Sequence, residues 1–140
     1  MRLYISVILT IGILIACKSG KKPQQIETQQ AIQGKQIYYK YCLSCHQADG
    51  SGVPGMYPSL KKSEIIPKDP DSLIAILLHG LSGEIEVDGI VYNSVMPPHN
   101  YLTDQEIADV LTYIRSEIAG NSASVSSEDV KNVRNREPTK

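Results

Sequence analysis

The sequence has no tryptophan and no phenylalanine, and its 140 residues include only three cysteines, three methionines and three histidines. Eight tyrosines are the whole aromatic complement. A domain without large apolar rings is short of core filler, so a bulky buried group from outside the chain is expected to supply the missing volume. Length is lacking too: at about 100–200 residues per domain, the chain allows one domain and excludes a large multi-domain enzyme. Basic surplus is absent from the middle of the chain. Between Ala31 and Gly120 six Lys/Arg stand against eleven Asp/Glu, a net of −5, and the overall −1 comes from basic ends. Such an acidic stretch excludes nucleic acid as a natural partner and favours a basic docking face on whatever protein it meets.

The ends read differently from the middle. Arg2 is a short positive start, and Leu3 to Ala16 is apolar apart from Ser6, Thr10 and Gly12. This run is shorter than the roughly 20 residues of a membrane span, so residues 1–16 read as an export signal. The run Leu14-Ile15-Ala16-Cys17 resembles a bacterial lipoprotein signal, which implies that Cys17 is acylated and becomes the N-terminus. A plain anchor helix with an incidental cysteine is the alternative. From Cys17 to Gln30 the chain is polar and lacks apolar spacing, and it reads as a tether; about 13 flexible residues would span about 20 Å and reach about 45 Å. Residues 31–120 form the expected domain. Residues 121–140 read as a polar tail in which Val125, Val130 and Val133 could place a weak helix against the domain.

The chemistry concentrates at Tyr41-Cys42-Leu43-Ser44-Cys45-His46. Two thiols three positions apart can each add to one vinyl group of a haem, and the adjacent histidine then supplies a proximal nitrogen to the iron. Cys42 and Cys45 are therefore the expected covalent attachment sites of one haem c, with His46 an axial ligand. A thioredoxin-like pair would want a strand before the motif, and a zinc site would want a second ligand pair. For the sixth ligand the candidates are Met56, Met96, His79 and His99. Met96 is favoured because Pro97 and Pro98 hold the following backbone extended. Met56 has an ordinary role as a gap filler, His79 as a helix C-terminal residue beside Gly80, and His99 stands close enough to Met96 to compete.

Local patterns predict an all-α domain. Ala31, Gly34, Tyr38 and Tyr41 stripe one face of a first helix, and a glycine there suggests close approach of another helix. Thr103-Asp104-Gln105-Glu106 is a capping box opening a last helix with Ile107, Val110, Leu111, Ile114 and Ile118 on one face, stopping at Gly120. Between them Asp71 is expected to cap a short helix from Ser72 to His79, and Ile85 to Tyr92 to form a hairpin turning at Asp88-Gly89. The hairpin leads the chain to the Met96 loop.

From about Ala31 to Gly120 these features resemble the class I cytochromes c, particularly single-haem bacterial lipoproteins and the electron-accepting parts of larger respiratory enzymes. The resemblance implies crossed N- and C-terminal helices, with Gly34 and Tyr38 against Leu111, Tyr113 and Ile114. Tyr57-Pro58-Ser59-Leu60 is similar to the family's segment on the histidine side, which implies that the Pro58 carbonyl orients His46 and that Leu60 packs on the haem. Met96-Pro97 matches the distal ligand loop. Family members with a tryptophan-containing pocket differ here, and Tyr92 and Asn93 are the candidates for the propionate contacts.

The function so implied is transfer of single electrons between redox proteins outside the cytoplasm, such as a membrane oxidase or dehydrogenase, by a protein anchored through lipid and catalysing no reaction of its own. A partner is expected to approach around Ala48 to Val53, where Gly50 and Gly52 carry no side chain. A gas sensor or weak peroxidase with a labile distal ligand, and an exported thiol-disulfide oxidoreductase, are the alternatives.

Overall fold

A computed structural model describes residues 23–121 and 124–136, with the side chains of 23–27 undescribed. Cys17 and the expected signal lie outside the described residues. The elements run α1 (Pro23–Tyr41), α2 (Leu43–His46), α3 (Ile65–Lys68), α4 (Pro70–His79), β1 (Ile85–Val87), β2 (Ile90–Tyr92), α5 (Asp104–Tyr113) and α6 (Ser127–Arg136). A π-helical turn, Ile114–Ile118, continues α5. The fold is thus mainly helical with one two-stranded antiparallel hairpin, as expected.

The crossing of α1 and α5 organises the domain. At Gly34 the two backbones meet so closely that an added Cβ would lie 2.0 Å from the Asp109 carbonyl oxygen. Only hydrogen fits there. One turn on, fully buried Tyr38 sets its ring 5.4 Å from that of Tyr113, and its hydroxyl donates to the Gln47 carbonyl at 2.7 Å. The capping box at Thr103 and Glu106 forms in both directions and starts α5 where the pattern puts it. The hairpin pairs Val87 with Ile90 and turns at Asp88-Gly89, both with positive φ as a two-residue turn requires.

Three expectations on elements need correction. The cap of α4 is Asp69, whose carboxylate accepts from the Ser72 amide at 3.2 Å. Pro70 occupies the first helical position, where its fixed φ suits and its missing N–H costs nothing, so the cap falls one residue earlier. Asp71 instead pairs with Arg136 at 2.8 Å. Helix α1 begins at Pro23, within the stretch read as tether. Half of the C-terminal stretch read as tail, Ser127–Arg136, folds as α6, the helix that its valines could place there. Val125, Val130 and Val133 are buried against the domain, and Ser126 and Asp129 cap the helix reciprocally, at 3.1 and 2.9 Å. The weak apolar stripe suffices because it meets existing apolar surface on α4 and α5.

Candidate haem site

Helix α1 ends at Tyr41, and the chain turns at once into the short helix α2, which carries Cys45 and His46, with Cys42 at its start. The His46 amide donates to the Cys42 carbonyl at 2.9 Å, so both cysteines and the histidine stand on a single turn. The loop that follows returns to this turn through the Gly52 amide, which donates to the His46 carbonyl at 3.0 Å. It also brings the Pro58 carbonyl to 3.2 Å from His46 Nδ1. A carbonyl can only accept, so Nδ1 carries the proton and the lone pair of Nε2 is left for another partner. Burial lowers the His46 pKa, opposed by the bond to Pro58, and favours the neutral imidazole that can ligate.

Met96 is placed from the other side of the chain. Its backbone forms an antiparallel bridge with Leu81, at 2.8 and 3.0 Å. Gly80, at φ 76, makes room for that bridge, because a Cβ there would lie 2.4 Å from the Met96 carbonyl oxygen.

Between these segments lies a cavity of about 590 Å³ whose walls include Cys42, His46, Pro58, Leu60 and Met96. Apolar side chains from α4 (Leu73, Ile76, Leu77), from α5 and its π turn (Leu111, Ile114) and from the hairpin (Ile85, Val87) complete it. A large, mostly apolar space with one imidazole, one thioether and a thiol on its walls fits a haem by size and by donor set. The rim is polar at Lys62, Ser63 and Glu64.

Among the sequence candidates, the structure gathers Cys42, His46, Pro58, Leu60 and Met96 on one cavity. Cys45 is half-buried on the same turn. Tyr92 is buried at the end of β2 but is not on the cavity wall, and Asn93 is exposed. His79 is exposed at the end of α4, Met56 is half-exposed, and His99 turns its Nδ1 to the Tyr101 hydroxyl at 2.9 Å. Gly50 and Gly52 are buried against Ile118 and Pro58, so they offer no approach for a partner. The inner face of the hairpin and the rim residues Lys62 and Ser63 escaped the sequence reading; alternation in Ile85-Glu86-Val87 was the available signal. The thiol of Cys42 is pushed up to about 11 by burial and then by Cys45, the reverse of what an exchange-active thiol needs. No cluster of three or more His, Cys, Asp or Glu among the described residues could hold a bare metal ion.

Comparison with known proteins agrees with this geometry. The profile of the cytochrome c family matches residues 31–117. Cytochrome c-552 of Thermus thermophilus is 46% identical over 80 residues, which cover 54% of this chain and 61% of that protein. The fructose dehydrogenase cytochrome subunit of Gluconobacter japonicus is 36% identical over 108 residues, 72% of this chain and 22% of the subunit. The cytochrome c subunit of the quinone alcohol dehydrogenase of Gluconobacter oxydans (strain 621H) is 33% identical over 109 residues, 75% of this chain and 22% of the subunit. The chain therefore spans less than two thirds of each of these relatives. A family match over most of the domain joins a crossed-helix fold and an apolar cavity bearing Cys42, His46 and Met96, and the chain accordingly belongs to the class I c-type cytochromes, electron-transfer proteins with a covalently bound haem c.

Proposed function

We propose that this protein is a one-electron carrier anchored by lipidated Cys17 at the outer face of a membrane, passing electrons between a dehydrogenase and a further redox protein or oxidase. Cys42 and Cys45 would attach the haem through thioether bonds, with His46 and Met96 as the axial ligands and Leu60 packing on the ring. Haem supplies an iron that changes between two oxidation states, and a thioether ligand in apolar surroundings favours the reduced one. The chain's own residues do the rest. Pro58 fixes the His46 tautomer, the Leu81 bridge and Gly80 fix Met96, and the apolar wall excludes water. The carrying observation is that Met96 shares a cavity with His46, whereas Met56, His79 and His99 do not line it. That two relatives are cytochrome subunits of dehydrogenases supports a dehydrogenase as donor.

The test is the absorption spectrum of holoprotein made with haem-attachment machinery. The wild type should be low-spin in both states, and the ferric form should show the weak far-red band of sulfur-to-iron charge transfer. Met96→Ala should abolish that band. A high-spin wild type that binds carbon monoxide readily would replace the carrier by a sensor or peroxidase. In fractionated cells the protein should sediment with membranes and Cys17→Ser should release it; an unchanged pellet would remove the lipid anchor.

A further inference from the structure

We infer that helix α6, acting through Arg134, is a positioning element that holds the far end of the Met96 loop, adding to the Leu81 bridge and Gly80. This rests on Met96 being the axial ligand, as proposed above. The loop after Met96 has few means of holding itself, because Pro97 and Pro98 lack backbone donors. Its other ties include the Leu81 bridge, the His99 amide donating to the Leu77 carbonyl at 2.7 Å, the Leu102 amide donating to the His99 carbonyl at 3.0 Å, and the His99 and Tyr101 rings packed against Tyr41. The carbonyls of Asn100 and Leu102 are taken from outside the loop. Arg134 donates from Nη1 to Asn100 at 3.1 Å, from Nη2 to Leu102 at 2.9 Å, and from Nε to the Asp104 carboxylate at 2.8 Å.

One planar guanidinium thus clamps three alternate residues between the ligand loop and the first turn of α5. Lysine, a single-point donor, cannot reproduce this fork. The Arg134 and Asp104 side chains are each only about one third exposed, at 33% and 32%, so the pair is less screened than a surface contact. Buried Val130 and Val133 seat the helix that presents the guanidinium. Helix α6 also lies beyond residues 31–117, the stretch matched by the family profile. The clamp therefore comes from outside the stretch that the family profile matches. Releasing it frees the segment between His99 and α5, and with it the loop whose closure keeps the thioether in place, without touching a cavity wall.

The experiment compares holoprotein of the wild type with Arg134→Ala, Arg134→Lys, Arg136→Ala and Met96→Ala. Charge-assisted bonds of this kind hold strongly enough that Arg134→Ala should bind carbon monoxide in the ferrous state about tenfold more readily. Its far-red band should weaken and its potential should fall, with Arg134→Lys in between. Arg136→Ala, which removes the tie from α6 to Asp71 and a bond within the helix to the Asn132 carbonyl, should lower the melting temperature and leave the band intact. An unchanged band and carbon monoxide affinity in folded Arg134→Ala would overturn the clamp, as would an equal change in Arg136→Ala. If the wild type already lacks the band and Met96→Ala matches it, the ligand assignment itself fails, a result distinct from failure of the clamp alone.

Discussion

Gly34 shows how much one residue can decide. Its hydrogen faces the Asp109 backbone and the Tyr113 Cβ, atoms that belong to a helix and cannot step aside. Gly34→Ala would gain helix propensity, worth about 1 kcal/mol, and lose about 3 kcal/mol to overpacking, for a net cost of about 2 kcal/mol. Denaturant melts of the holoprotein should show that loss; a stability equal to wild type would mean that the helices separate at no cost. The site residues were equally legible as single letters. Cys42, Cys45 and His46 announce themselves by spacing, and Met96 by the two prolines after it. What single letters left open was whether His99 also reaches the cavity. His99 stands three residues from Met96, yet it turns away to Tyr101 because Leu77 takes its amide.

At the scale of elements, legibility followed the strength of local signals. The α5 capping box and the Asp88-Gly89 hairpin were visible because each depends on a few residues with strict backbone demands. The start of α1 was not, because nothing in Pro23 to Gln30 has apolar periodicity, and α6 was visible only as three valines. Helix α6 is also sensitive to acid. Asp129 is held below the ordinary carboxylate range by the hydroxyl and then the amide of Ser126. A depressed folded value means that its stabilisation is present above the ordinary range and is lost as pH falls through that range to the folded value. Ser126→Ala should therefore destabilise the docked helix by about 1 kcal/mol at neutral pH, read as faster amide exchange in Ser127–Arg136. The difference from wild type should shrink in acid; a difference that grows there would refute the assignment.

For the molecule as a whole, the cavity sets the terms of stability. Its apolar walls surround about 590 Å³ and would pack on a haem rather than on one another, and an ordinary domain has only about 5–15 kcal/mol of stability to lose. The double variant Cys42→Ala, Cys45→Ala, produced without haem, should therefore fail to hold fixed packing and should bind a hydrophobic dye while keeping much of its helix signal. A cooperative melt with native tertiary signals would show that the cavity collapses at little cost. The missing tryptophan and phenylalanine hinted at this dependence, but the distribution of the cavity wall over α4, α5 and the hairpin was beyond any local pattern.

The helix crossing also bears on the order of events during folding. Gly34 and Asp109 are 75 positions apart, and every wall of the cavity except Leu111 and Ile114 lies in the loop that their contact closes. Closing so long a loop is slow compared with forming any of the helices it joins. The crossing and the filled cavity should therefore form together, because each draws in the residues at the two ends of that long loop.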